Sequence, residues 1–320
     1  MIKSSKLWII CATIFAIGIA IFAISMTALG WDFSKLTLAK TEENTYTVAD
    51  DFTSISLSFD TADVSILPSE DGKARVDLVE LTNVKHEVKV ENGKLTVSHT
   101  DNRAWYEYIS LFGSGATSVT VYLPEGKYES FTAHGSTGDV KISNGFEFES
   151  IDVEVSTANI QCFASAKSAV LKASTGDIYL SDATAQNVKL SATTGNISAS
   201  RVLASGAFEV TVSSGNTTLT DVNCDALSFT SSTGDLLLTR FIANGKLECR
   251  QGTGDITFDS SDAGEILITA STGDVCGTLL SPKLFAATSN TGKVSVPDPE
   301  GTQKCKISVS TGDIIISIKD

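Results

Sequence analysis

The stretch Val188-Lys189-Leu190-Ser191-Ala192-Thr193-Thr194-Gly195-Asn196-Ile197-Ser198-Ala199 decides the fold. Apolar and polar residues alternate up to Thr193, break at Thr194-Gly195-Asn196, and alternate again from Ile197. Side chains along a strand point to opposite faces with period two. The stretch therefore reads as strand, corner, strand, with Val188, Leu190, Ala192, Ile197 and Ala199 inward and Lys189, Ser191, Asn196 and Ser198 outward.

The corner recurs. Ser136-Thr137-Gly138-Asp139-Val140, Ser174-Thr175-Gly176-Asp177-Ile178, Ser232-Thr233-Gly234-Asp235-Leu236, Ser271-Thr272-Gly273-Asp274-Val275 and Ser310-Thr311-Gly312-Asp313-Ile314 are near copies. Weaker ones centre on Ala158, Gly195, Gly215, Gly254 and Gly292, and the spacings from Gly138 onward run 20, 18, 19, 20, 19, 20, 19, 19 and 20 residues. A fixed period near 20 marks stacked units that cannot bury their apolar faces alone. Two earlier frames fit with Ala62 and Gly93 at the corner, for twelve in all. With the corner at zero, 53 of the 60 residues at −7, −5, −3, +2 and +4 are apolar, against 7 of 48 at −6, −4, +1 and +3. No helical period gives that contrast.

Corner chemistry agrees. Glycine holds position zero in 10 of 12 frames, and Asp or Asn holds +1 in 10. Glycine reaches positive φ without steric cost, and Asx side chains bond nearby backbone amides. Thr at −1 suggests a hydroxyl ladder between coils. A propeller blade needs about 40 residues of two-fold alternation, which is absent. The expected fold is all-β: a single-domain parallel β-solenoid of about twelve coils of 18–20 residues. The usual hand of parallel β connections makes it right-handed.

An uncharged apolar run from Leu7 to Leu29 precedes this body. It is long enough to span a bilayer at about 1.5 Å per residue. It exceeds the apolar region of a signal peptide, and Thr27-Ala28-Leu29-Gly30 is a poor cleavage site. Lys3 and Lys6 place the N-terminus in the cytoplasm and the body outside, in a single-pass arrangement in the cell membrane. The expected division is 1–30 cytoplasmic tip and anchor, 31–50 polar stalk, 51–130 irregular coils with insertions, and 131–320 regular solenoid. The insertions hold an extra strand at 74–79, a strand at 119–124, and an aromatic segment around Trp105, Tyr106, Tyr108 and Phe112. That segment is the candidate contact site, read either as a lid over the end of the stack or as an exposed binding surface.

The STGD(V/I) repeats, Val119-Thr120-Val121-Tyr122-Leu123-Pro124 before the first strong repeat, and the irregular opening strand at 55–66 resemble a large bacterial family. Its label is "putative adhesin", and its function is unknown. The resemblance covers about residues 50–320. It implies a solenoid, commonly membrane-tethered, and brings no catalytic residues with it.

The net charge of −14 argues against nucleic acid as a partner. The histidines His86, His99 and His134 fall in no HExxH, and no nucleophile elbow or Walker motif occurs. His134 reads as a surface residue and His86 as a partly buried cap residue. Cys162, Cys249 and Cys305 fall at inward places as small hydrophobes. The five body cysteines, which also include Cys224 and Cys276, share no column in adjacent coils, so no disulfide is expected. Asp235, Asp255 and Asp274 form a run of three acids at the corner, interrupted by Lys293. They are weighed as a calcium site and read instead as turn caps, with no metal or cofactor expected. The last stretch, Asp313-Ile314-Ile315-Ile316-Ser317-Ile318-Lys319-Asp320, reads as an open edge that invites weak end-to-end self-association. The functional expectation is a non-enzymatic surface interaction or scaffold module, adhesin-like, for a protein or glycan partner. A regulatory or sensory envelope component is the alternative, and a carbohydrate-active β-helix enzyme ranks third.

Overall fold

The computed structural model describes residues 4–32, 41–101 and 116–319. Ser4–Ala28 is one helix, and Trp8–Ala28 is long and apolar enough to cross a bilayer. The strands form a single continuous sheet wound into a parallel β-solenoid of about ten turns.

Each regular coil has one strand before the corner and one after it, such as Thr184–Thr194 and Ile197–Ala204. Like positions stack in register. Leu190 lies between Leu171 and Val210, and Ile197 lies between Ile178 and Thr217. Val188, Leu190, Ala192, Ile197 and Ala199 are all buried and Lys189 is exposed, as the alternation requires. Val210 and Ile268 are buried too, whereas Thr211 is exposed. The corner glycine meets two constraints at once. Gly195 sits at φ 141°, and a Cβ there would lie 2.0 Å from the Gly176 carbonyl oxygen of the adjacent coil. At this φ, glycine alone lets the Gly195 corner stack on Gly176 at the spacing of a β-ladder, whereas the corners at Ala62 and Ala158 do without the positive φ.

Gly93 is not a corner, which brings the count below twelve. Asn92 and Gly93 both have positive φ, 51° and 74°. They close a hairpin between the antiparallel strands Val84–Glu91 and Lys94–Asp101, the turn that Asn-Gly favours. Leu95 and Val97 lie beside Ile55 and Leu57, so they occupy places before a corner rather than after one. On the other face, Ser118–Leu123 runs parallel to Asp63–Pro68. Ala74–Leu81 then packs antiparallel to Ser118–Leu123, and Thr41–Val48 packs antiparallel to Ala74–Leu81. Residues 41–48 are thus an edge strand and not stalk. Antiparallel strands close this end on both faces, and their edges carry Glu42, Glu43, Lys85, Glu87, Lys89 and Glu91. Charges of this kind blunt an edge against stray pairing.

At the opposite end the coils are not stacked in chain order. Lys304–Thr311 pairs with the last part of Ile256–Thr272 on one side and with Leu284–Thr291 on the other. Ile307 faces Ile268 and Ala287. The coil that turns at Gly312 is therefore inserted between those of Gly273 and Gly292. The open edge belongs to Leu284–Thr291, and the C-terminal strand Ile314–Ile318 lies inside the stack, with Ile314 and Ile316 buried.

Candidate functional site

The corner column runs Asp63, Asp139, Asn159, Asp177, Asn196, Asn216, Asp235, Asp255, Asp274, Asp313, Lys293. Each Asp or Asn accepts, through its Oδ1, the amide N–H of the next residue in the column, at 2.7–3.0 Å. The inserted coil places Asp313 beside Asp274, so the run of acids is four long, and Lys293 stands at its end. One oxygen of each carboxylate is tied to backbone, and successive carboxylates sit a full coil apart. Among the described residues no group of three His, Cys, Asp or Glu is placed to hold a metal ion. The column is a ladder of turn caps, and it carries the inter-coil bonding expected of the −1 threonines. Of those hydroxyls, Thr291 Oγ1 donates to the Ser310 carbonyl at 3.3 Å.

The second corner has a ladder that the repeat count does not reveal. Asp182, Arg201, Asp221 and Arg240 occupy the left-handed region in successive coils, with φ between 49° and 56°. Arg201 clasps Asp182 at 2.5 and 2.7 Å, and Arg240 clasps Asp221 at 2.6 and 2.7 Å. These forked pairs hold the Asp221 carboxyl below its ordinary range and bring Asp182 down to about 2, through the guanidinium bonds first. The signal in the sequence was the alternation of sign at a spacing of one coil. Beside this corner runs a groove of about 710 Å3, whose lining includes Lys127, Asn144, Phe163, Lys167, Asp182 and Gln186.

Most of the body thiols are inward. Cys162, Cys224, Cys249 and Cys305 are buried and unpaired, and Cys276 is half-buried. Burial pushes the Cys162 thiol up to about 11 and those of Cys224 and Cys305 up to about 12, which makes poor nucleophiles. His134 is exposed. His86 is buried in the closed end, where its Nδ1 lies 3.0 Å from Glu80 Oε2 and its backbone N–H donates to the same oxygen at 2.7 Å. Asn44 Nδ2 donates to the other Glu80 oxygen at 2.8 Å, so the edge strand helps to satisfy this buried carboxylate.

Trp105, Tyr106, Tyr108 and Phe112 lie outside the described residues. The strands flanking them, Lys94–Asp101 and Ser118–Leu123, hold the before-corner and after-corner places of the outermost coil at the closed end.

At the open end one lysine joins three connections. Lys283 is fully buried. Its Nζ lies 2.6 Å from Asp262 Oδ1, donates to the Ala263 carbonyl at 2.7 Å and to Ser281 Oγ at 2.9 Å, and also bonds Gln303 Oε1. Ser281 Oγ donates to Asp262 Oδ2 at 2.5 Å. A buried ammonium ringed by oxygens needs no other partner. This one ties the turns of the Gly273, Gly292 and Gly312 coils together where the insertion occurs.

No curated protein sequence matches the chain. Among solved structures, it is similar to a "putative lipid binding protein" from Parabacteroides distasonis ATCC 8503, at 15% identity and TM-score 0.49, over 87% of this chain and 97% of that one. It is also similar to a "putative adhesin" from Bacteroides fragilis NCTC 9343, at 16% identity and TM-score 0.46, over 87% and 97%. Residues 52–317 match the family described as Toastrack DUF4097. That match spans well over half of the chain, and the chain belongs to the Toastrack DUF4097 family.

Proposed function

We propose that the chain is a membrane-anchored, extracytoplasmic binding module, adhesin-like and non-enzymatic, that presents a rigid acidic wall to a protein or glycan partner. One observation carries this reading: the side chains that could do chemistry are used to hold the coils together. Corner carboxylates cap amides, the Arg201 and Arg240 guanidiniums clasp neighbouring carboxylates, and four of the five body thiols are buried. What remains outward is a repeated surface of hydroxyls and charges on a scaffold locked by backbone pairing, as suits recognition by a preorganised surface. The helix Ser4–Ala28 supports the anchor, and Lys6 on its N-terminal side supports a cytoplasmic N-terminus. Trp105, Tyr106, Tyr108 and Phe112 are the proposed contact residues, since Tyr and Trp suit interfaces that are apolar at one end and wet at the other.

Trypsin applied to intact cells tests the location: the body should be cleaved while the membrane seals the N-terminus. Capture from intact cells with a fragment starting before Thr41 tests binding. The fragment should retain a partner that Trp105→Ser with Tyr106→Ser releases without a change in melting temperature. A protected body, or a partner held equally by both fragments, would overturn the respective part.

A further inference from the structure

The stack ends at Leu284–Thr291, which among the described residues has a paired neighbour on one side only. Leu284 N–H donates back to the Gln303 carbonyl at 2.7 Å. Amide directions alternate along a strand, so Phe285, Ala287 and Ser289 turn their N–H and C=O groups to the open side. The side chains of these three residues stand in the inward columns, yet they are only half-buried, because no coil covers them. Leu284 and Val294, at 42% and 41% exposure, extend the apolar surface. An edge of this kind is a template for another strand.

Two occupants fit poorly. The closed end of another copy offers edges blunted by the charges of Glu42, Glu43, Lys85, Glu87, Lys89 and Glu91. A further parallel coil would place an amide above Lys293, which has no oxygen to cap it, so the corner ladder stops there. An antiparallel strand needs no corner bond. We infer that two copies of the chain pair tail to tail through Leu284–Thr291, antiparallel, about a two-fold axis at Ala287.

Parity sets the register. A shift of one residue would turn the inward columns outward. Pairing Ala287 with its own copy and Phe285 with Ser289 joins all three outward-turned amide sites and continues the core across both molecules. On the outer face Ala286 then stands opposite Thr288. The small side chains of Ala286, Ala287 and Thr288 allow close approach of the two strands. Each chain enters its stack at the far end, through Thr41–Val48, so the two anchors lie at opposite ends of the doubled rod.

The test uses the full chain in detergent micelles. Ala286→Cys and Thr288→Cys are made as separate variants, both at exposed positions. Mild oxidation of the mixed pair should give a disulfide-linked dimer several-fold above either variant alone and above wild type. Ala287→Lys, which points a charge into the seam, should lower the association measured by sedimentation at least ten-fold while the far-ultraviolet spectrum is kept. Crosslinking no higher in the mixture than in the separate variants would overturn the pairing. Association that survives Ala287→Lys would overturn it too, as would a wild-type chain that stays monomeric up to about 100 µM.

Discussion

Lys283→Met should release the inserted coil. Methionine keeps the length of the buried stem, so little cavity forms, and the change isolates the ammonium. Its removal leaves Asp262, the Ala263 carbonyl and Gln303 Oε1 without their common donor. Breaking one side of a buried pair costs about 3–5 kcal/mol. Asp262 keeps bonds from Ser281 Oγ and from the Ala263 N–H at 2.8 Å, which places the expected loss at the low end, about 3 kcal/mol. A solenoid opens locally before it melts globally, so hydrogen exchange is the informative assay. Amides of 284–295 and 304–318 should exchange faster in Lys283→Met, while those of 146–200 keep their protection. Lys246→Met is the control. Lys246 pairs with Glu248 at 2.6 Å on the surface, and an exposed pair is worth at most about 1 kcal/mol. Adding Asp262→Leu to Lys283→Met should restore part of the protection by removing the orphaned charge. If Lys283→Met and Lys246→Met exchange alike, the lysine does not clamp the insertion.

Other outcomes follow from the corners and the thiols. Gly195→Ala forces a Cβ to 2.0 Å from the Gly176 oxygen at φ 141°, and should cost about 3 kcal/mol in urea unfolding; a loss below about 1 kcal/mol would contradict the stacking. Asp182 should titrate near pH 2 by carbonyl NMR. Its folded pKa lies below the ordinary carboxylate range, so its contribution to stability is present above that range and is lost as pH falls through about 2; an ordinary midpoint would refute the Arg201 clasp. Iodoacetamide on the native solenoid should label the half-buried Cys276 well before Cys162, Cys224, Cys249 and Cys305, and all five should label once unfolded. Early labelling of Cys249 would show that the core is open.

Most of the coil is legible in the sequence because one physical rule, alternation across a strand, repeats at every coil. Val188 through Ala199 state which side faces in, and glycine marks the corner. Two things were not legible in the same way. Asn92-Gly93 satisfies the corner pattern and the hairpin pattern equally, because both need positive φ flanked by alternating strands. The antiparallel pairing of Val84–Glu91 with Lys94–Asp101 decides between them. Coil order was the other. Periodicity assigns residues to columns and says nothing about which coil lies on which, since coils of 19 and 20 residues are interchangeable. The clue was chemical: Lys293, which cannot cap the next amide, belongs at the end of a column, and the connection Pro297-Asp298-Pro299-Glu300-Gly301 leaves that coil by an irregular path. The ladder through Asp182 and Arg201, by contrast, keeps a fixed place six residues after each corner glycine, and its alternating signs are legible there.

The inserted coil also dictates an order of events. Between Gly138 and Gly273 each coil can settle on the one made just before it, with ladder bonds closing loops of 18 to 20 residues. The bond from Asp313 N–H to Asp274 Oδ1 closes a loop of 39 residues. That doubling costs only about 0.6 kcal/mol of chain entropy, so the finished stack bears it easily. The kinetic effect is larger. Until residues 304–318 exist and arrive, the last part of Ile256–Thr272 stays bare, and residues 284–295 have no native surface to pair with. If the earlier of the two coils docks there first, it must leave again. Completion of this rod therefore waits on residues 304–318, and the waiting edge is where misassembly would begin.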